Sequence, residues 1–100
     1  MAIAEVSIVP IGTADTSVSE YVASAVQELK KSGLRFRLTP MGTIIEGDIK
    51  DVMDVVFRMH ETPFNKEVKR VYTTIKIDDR RDKDVEMIDK VKSVEGKMKG

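Results

Sequence analysis

The sequence predicts an α+β sandwich in which a four-stranded antiparallel sheet carries two helices on one face. Hydrophobic residues alternate between a period of two and a helical period, in the order strand, helix, strand, strand, helix, strand, helix. Glycine or proline stands at the breaks between segments, as at Gly33, Gly42 and Pro63. From Arg70 to Lys83, a run of β-branched and aromatic residues ends abruptly in a cluster of charges. This last run places one strand firmly, over Val71 to Ile77.

The first strand is predicted from Ile3 to Val9, because small and apolar residues there alternate with a partly polar set. Small hydroxyl residues follow the turn at Pro10, and apolar residues then recur at the spacing of a helix. These residues are Val18, Tyr21, Val22, Ala25, Val26 and Leu29. Ser17 or Ser19 is the expected N-cap, with Ser17 and Glu20 at capping-box spacing, and Gly33 is expected to end the helix.

The middle of the chain predicts a hairpin and a second helix. Leu34 to Thr39 alternates apolar and polar residues, and Thr43 to Gly47 resumes extended character after a proline and a glycine. Asp48 is expected to cap a helix that ends near Pro63. The predicted buried stripe of this helix is Ile49, Val52, Met53, Val56 and Met59 or His60.

The last strand has two different faces, and a third helix follows it. Tyr72, Thr74 and Lys76 lie on one face of the strand, opposite a more apolar set. From Asp84 onward, apolar residues recur every three positions, at Val85, Ile88, Val91 and Val94. This pattern predicts a helix over residues 84–100 with a narrow apolar stripe, which we expect to contact another copy of the chain.

Two split βαβ units with right-handed crossovers form the ferredoxin-like sandwich, βαββαβ, with an extra C-terminal helix. One sheet face is then left uncovered by the chain. We expect this face to display Glu5, Ser7, Arg35, Arg37, Thr39, Tyr72, Thr74 and Lys76, with Thr43 or Ile45 nearby. A solvated face is common in two-layer folds. Self-association would instead bury both this face and the stripe of the third helix.

Composition limits the range of functions. One hundred residues with 41% hydrophobic content predict one domain, residues 1–100. Seventeen basic and seventeen acidic residues balance, which disfavours nonspecific binding to nucleic acid or lipid headgroups. The absence of cysteine and the single histidine, His60, argue against thiolate and multi-histidine metal sites, and no cofactor is expected. With no signal-peptide pattern and no membrane-spanning run, the chain is expected to be cytoplasmic.

Catalytic patterns are weak in this sequence. His60 lies near a helix end without an accompanying nucleophile or metal motif, so a structural role is expected. Asp78, Asp79 and Asp82 could ligate a hard cation, but arginine and lysine residues lie between them, which favours a solvated ion-pair loop. An enzyme would need an acid or base on the open face, where Glu5 is the only attractive candidate.

Three ligand hypotheses follow from the topology. The segment Gly12 to Ser19 leads into a helix N-terminus, where free backbone N–H groups favour an anion and Thr13 offers a hydroxyl, although ordinary capping uses the same residue types. An RNA-recognition domain shares the strand order, but of its stacking aromatics only Tyr72 is present. Acylphosphatase also shares the fold, yet the loop after the first strand, PIGTADTS, has no arginine.

Four segments, in order and spacing, carry a resemblance to a known family: EVSIVPIGT, SVSEYVA, MGTIIEGD and RVYTTIKIDDRRDK. From Ile3 to Lys83 the chain resembles the thiamine-binding, YkoF-like family of small ferredoxin-like proteins. The resemblance implies the βαββαβ fold with an added C-terminal helix, and dimers that pair into tetramers through their sheets. It also implies a binding pocket for thiamine or its hydroxymethylpyrimidine part on the polar sheet face and under the first loop.

The residues of that face suit such a ligand. Glu5 can offset the thiazolium cation, Tyr72 can stack on a ring, and three hydroxyl residues can bond the pyrimidine edge: Ser7, Thr43 and Thr74. Arg37 suits an anionic ligand better, and Arg37 or Lys76 is the alternative partner of Glu5. The resulting hypothesis is a non-catalytic, homo-oligomeric binder of a small heteroaromatic metabolite. The alternative is an oligomer whose polar sheet face is only an assembly interface.

Overall fold

The computed structural model describes residues 1–14, 18–82 and 87–99. Four strands, three α-helices and one 3₁₀ helix follow one another in the predicted order. They are β1 (Ala2–Ile11), α1 (Ser19–Ser32), β2 (Arg35–Thr39), β3 (Gly42–Gly47), α2 (Ile49–Glu61), the 3₁₀ helix (Thr62–Lys66), β4 (Arg70–Asp79) and α3 (Met87–Lys99).

The sheet has the strand order β2-β3-β1-β4, and every neighbouring pair is antiparallel. β1 is therefore central, paired along its whole length with β4 and from Ala2 to Val6 with β3. This is the βαββαβ order of the ferredoxin-like sandwich, which confirms the fold class predicted from sequence periodicity.

The hydrophobic core lies between one face of the sheet and the helices α1 and α2. It joins side chains from both helices to those of β1 and β3: Ala4, Val6, Ala25, Leu29, Ile45, Val52, Val55, Val56 and Met59. Fully burying a side chain of this size stabilises the fold by about 1.5–3 kcal/mol. The opposite face of the sheet, which we call the open face, carries no part of α1 or α2.

The helix ends differ in detail from the prediction. Gly33 ends α1 with φ of 76°, in the left-handed region where glycine is favoured. Ser19 was predicted as a possible N-cap, but it is already helical and Val18 occupies the cap position, while Ser17 lies outside the described residues. Asp48 does hold the N-cap position of α2, although its side chain makes no capping hydrogen bond there.

The buried stripe of α2 matches the prediction at Val52, Val56 and Met59, and it includes Val55 in place of Met53. Val52, Val55, Val56 and Met59 are buried, whereas Met53 is exposed. Apolar residues in this helix occupy more positions than one face can bury, so the periodicity does not decide between Met53 and Val55. Packing against β1 and β3 decides, because it fixes which side of the helix meets the sheet.

The faces of β3 also differ from the prediction. Thr43 and Ile45 were expected near the open face, but both are buried on the helix side, where Thr43 pairs with the core residue Val6. Ile44 and Glu46 therefore project from the open face, opposite Glu5 and Ile3 of β1. The two adjacent isoleucines make the alternation ambiguous, and the register with β1 resolves it.

The described part of α3 contacts the sheet mainly through its first turn. Its apolar side chains are exposed at Ile88, Val91 and Val94 of the predicted stripe, whose Val85 lies outside the described residues. Along the described residues, no helix combines the length and apolar character needed to cross a membrane.

Candidate functional site

An apolar cleft opens on the helix side of the sheet, between α1 and the β2–β3 hairpin. Its volume is about 380 Å³. Its walls come from β1, α1, the hairpin and α2, and include Val6, Ile8, Val18, Tyr21, Val22, Leu38, Met41, Thr43 and Met59. Val22, Leu38 and Met41 line the cleft and are also exposed to solvent.

The hairpin wall of the cleft is fixed by Thr39 and Gly42. The Thr39 hydroxyl donates to the Gly42 carbonyl at 2.8 Å and accepts from the backbone N–H groups of Gly42 at 3.1 Å and Met41 at 3.3 Å. A Cβ atom at position 42 would lie 2.9 Å from the carbonyl oxygen of Val6, so only glycine allows this close approach. The Thr39 hydroxyl is thus committed to the turn.

Thr43 of β3 supplies a polar group to the wall of the cleft. Its side chain lies among apolar neighbours and is only 6% exposed. A hydroxyl can both donate and accept a hydrogen bond, so Thr43 can pair with either a donor or an acceptor of a molecule that enters the cleft.

The open face presents charges of both signs in rows across the strands. Arg37, Ile44, Glu5 and Lys76 form one row, and Arg35, Glu46, Ile3 and Asp78 form the next. Lys76 Nζ lies 3.8 Å from Glu5 Oε1, so one of the two predicted basic partners of Glu5 is present. Both side chains are substantially exposed, which keeps the pair weak.

The structure divides the predicted ligand-binding residues among three places. Glu5, Ser7, Arg37, Tyr72 and Thr74 lie on the open face. Thr43 lines the apolar cleft on the opposite side of the sheet, Ser7 also contributes to the lining of that cleft, and Thr13 lies in the loop after β1. A ligand in the cleft therefore meets Ser7 and Thr43, whereas the other predicted residues of the open face lie on the far side of the sheet.

His60 has the structural role expected from the sequence. Its Nδ1 lies 2.7 Å from the Thr73 hydroxyl, which joins α2 to β4. Its ring also meets Phe64 edge to face, with centroids 5.6 Å apart. It does not line the cleft.

The charged loop after β4 forms ion pairs between neighbours, as expected. Arg80 pairs with Asp82, Arg81 pairs with Asp79 and Lys90 pairs with Asp78. Hydrogen bonds from Arg81 hold the pKa of Asp79 below its ordinary value. Over residues 1–14, 18–82 and 87–99, no three acidic or histidine residues form a group that could hold a metal ion.

Glu46 is a buried carboxylate on the open face that sequence reasoning did not single out. It is 5% exposed, accepts the backbone N–H of Met87 at 3.0 Å and lies 3.7 Å from the Arg35 guanidinium. The sequence signal that could have identified Glu46 is a carboxylate near the end of a mostly apolar strand. Glu46 therefore attaches the start of α3 to the sheet.

A family profile described as "Thiamine-binding protein" matches residues 4–95. The chain belongs to this family. A UPF0045 protein of Staphylococcus xylosus is 50% identical over 99 residues, which cover 95% of this chain and 92% of that protein. The family resemblance noted in the sequence is thereby confirmed.

Solved structures agree with the family assignment. The crystal structure of a hypothetical protein from Methanocaldococcus jannaschii superimposes with a TM-score of 0.86 at 38% identity, over 94% of this chain and 95% of that one. A Thermotoga maritima protein, provisionally named for thiamine biosynthesis or salvage, has a TM-score of 0.76 at 20% identity, over 93% and 97% of the two chains. At that identity the likeness shows the fold alone.

Replacement of Glu46 tests the attachment of α3. We expect Glu46→Ala to lower the free energy of unfolding by about 2 kcal/mol, because a hydrogen bond to a buried charge is lost. Hydrogen exchange at the first turn of α3 should also become faster. Glu95→Ala, at an exposed position of α3, is the matched control, and an equal effect of the two changes on both measurements would contradict this role of Glu46.

Proposed function

We propose that this protein binds thiamine or its hydroxymethylpyrimidine part in the apolar cleft and performs no chemistry on it. The observation that carries the proposal is the position of Thr43, a nearly buried hydroxyl in an apolar wall. Binding sites for small molecules are mostly apolar, measure about 300–1,000 Å³, and use a few polar groups to orient the ligand. Membership of the thiamine-binding family supports this choice of ligand.

The chemistry of the ligand matches the cleft. An aminopyrimidine ring has two flat apolar faces and a polar edge with both donors and acceptors. Leu38 and Met41 offer apolar surface to the faces, with the flexible methionine adapting to the shape of the ring. Thr43 offers its hydroxyl to the edge.

The residues of the cleft favour binding over catalysis. Among the described residues that line it, none is acidic, basic or histidine. General acid–base catalysis most often uses histidine or a carboxylate within hydrogen-bond reach of the reacting atom, and Tyr21 is the one titratable side chain among the described lining residues. Glu5, the candidate acid or base from the sequence, projects from the other face of the sheet.

Two threonine-to-valine changes distinguish the cleft from the open face. Valine keeps the shape of threonine but removes the hydroxyl. We expect Thr43→Val to weaken binding of thiamine or hydroxymethylpyrimidine about fivefold to tenfold, the effect of one lost hydrogen bond. Thr74→Val, on the open face, should leave the affinity unchanged.

Titration calorimetry on protein stripped of bound ligand measures both affinities. Loss of binding in Thr74→Val with normal binding in Thr43→Val would move the site to the open face. No binding of either compound by the unaltered protein would refute the proposed function.

Glu5 provides a second test of where the ligand binds. With the ligand in the cleft, Glu5→Gln removes only the exposed pair with Lys76, so the unfolding free energy should change by less than about 1 kcal/mol. The affinity for thiamine should not change. Denaturant unfolding and calorimetry of the same preparation measure both quantities, and abolished binding would identify Glu5 as the partner of a cationic ligand.

We also propose that the chain forms a homo-oligomer, a dimer or a tetramer, through the open face and α3. The observation in favour is the row of exposed apolar side chains along α3, at Ile88, Val91 and Val94. Burying each of them against a second copy would contribute about 1.5–3 kcal/mol if burial were complete. This assembly leaves the cleft on the opposite side of the sheet.

Deletion of residues 84–100 tests the assembly. We expect light scattering to give a molecular mass of at least a dimer for the full chain at micromolar concentration, and a smaller mass after the deletion. The apolar stripe of α3 is the reason, since the deletion removes it. A monomeric full chain would rule out the assembly but would not affect binding in the cleft.

A further inference from the structure

A second pocket lies beside the apolar cleft, and the two share Tyr21 as a common wall. This pocket has a volume of about 560 Å³ and is formed by the end of β1, the loop after it and the segment between the 3₁₀ helix and β4. Its lining is polar and includes Thr13, Lys66, Glu67 and Lys69. We call it the lysine pocket. The two neighbouring cavities thus differ sharply in character, one apolar and uncharged, the other carrying two cations.

Lys66 is held in place at the edge of the lysine pocket. Its Nζ lies 5.7 Å from the centroid of the Tyr21 ring, within the range of a cation–π contact, and 3.2 Å from Glu20 Oε1. The pair with Glu20 is exposed and therefore weak, so an anion that enters the pocket can replace it while the contact with Tyr21 remains. The ammonium group therefore stands beside the wall that separates the two cavities.

The loop before β4 brings Lys69 to the same pocket. The 3₁₀ helix ends at Lys66, and Glu67 follows in the left-handed region with φ of 65°. This turn redirects the chain so that both Lys66 and Lys69 line the pocket. Two carboxylates are also close: Glu67 lines the pocket, and Glu20 pairs with Lys66 while its own side chain stays 79% exposed. The lining itself carries two positive charges and one negative charge.

From this arrangement we infer that the ligand is a phosphate monoester of the heteroaromatic compound, with its ring in the apolar cleft and its phosphate in the lysine pocket. The inference rests on the proposed function, because it takes the ring to be in the cleft. Lysine binds phosphate as a point charge, and charge-assisted hydrogen bonds are stronger than neutral ones. Thr13, predicted from the sequence as a ligand-binding residue, lines the same pocket.

The shape of such a ligand agrees with the order of the two cavities. In thiamine, the hydroxyl that can be phosphorylated lies at the opposite end from the pyrimidine. In the inferred arrangement the pyrimidine lies at Thr43, and the phosphate end of the molecule extends past Tyr21 toward Lys66. Hydroxymethylpyrimidine carries its hydroxymethyl group directly on the ring, so its phosphate reaches the lysine pocket only with the ring close to Tyr21. The two phosphate esters therefore test two positions of the pyrimidine ring in the cleft, one at Thr43 and one close to Tyr21.

The experiment compares two matched pairs of ligands by titration calorimetry: thiamine with thiamine monophosphate, and hydroxymethylpyrimidine with its phosphate. We expect at least one phosphate ester to bind about tenfold more tightly than its parent alcohol, and the preference to weaken as salt is added. Lys66→Gln and Lys69→Gln should each reduce the ratio of the two affinities. Lys92→Gln, on the exposed part of α3, is the matched control and should leave the ratio unchanged.

Each outcome has one interpretation. Equal affinity for both members of each pair would overturn the phosphate inference and leave the proposed function intact. A preference for the phosphate ester that persists in both lysine variants would overturn the assignment to the lysine pocket. Failure of all four compounds to bind would refute the proposed function, and the inference with it.

Discussion

The pairing of β1 with both of its neighbours is the constraint on which the rest of the molecule depends. In the centre of the sheet, β1 directs Ala4 and Val6 into the core and Glu5 and Ser7 to the open face. A shift of one residue in this register would bury Glu5 against the helices, which an unpaired carboxylate does not tolerate. The register also fixes the orientation of β3, and thereby places Thr43 in the cleft and Glu46 under the start of α3.

The parts of the fold that could be predicted are those in which one strand or helix has a clear periodic pattern. In β4, partly buried and exposed residues alternate from Val71 to Lys76, so its two faces follow from its own residues. β3 contains Ile44 and Ile45 side by side, and its faces follow only from its pairing with β1. The stripe of α2 has the same ambiguity at Met53 and Val55, since both are apolar and only the packing of the helix on the sheet separates them.

The candidate site was harder to predict than the fold because no single segment contains it. Val22, Leu38 and Met41 belong to three different elements, and in sequence they look like ordinary core residues. They line one cleft because the fold brings α1 and the hairpin to opposite walls of it, an arrangement that periodicity does not encode. Nothing in the sequence distinguishes Lys66 and Lys69 from the other basic residues, of which there are seventeen in all. In the structure, the turn at Glu67 places both lysines at one pocket.

The two faces of the sheet can serve two purposes without interfering. The open face carries the exposed Glu5–Lys76 pair and the attachment of α3, both compatible with the proposed contact with a second copy of the chain. The helix side holds the uncharged cleft and, beyond Tyr21, the lysine pocket. Thr43 and Ile44 are adjacent in sequence yet project from opposite faces. A second copy on the open face would therefore meet Ile44 and not Thr43, and a ligand in the cleft would meet Thr43 and not Ile44.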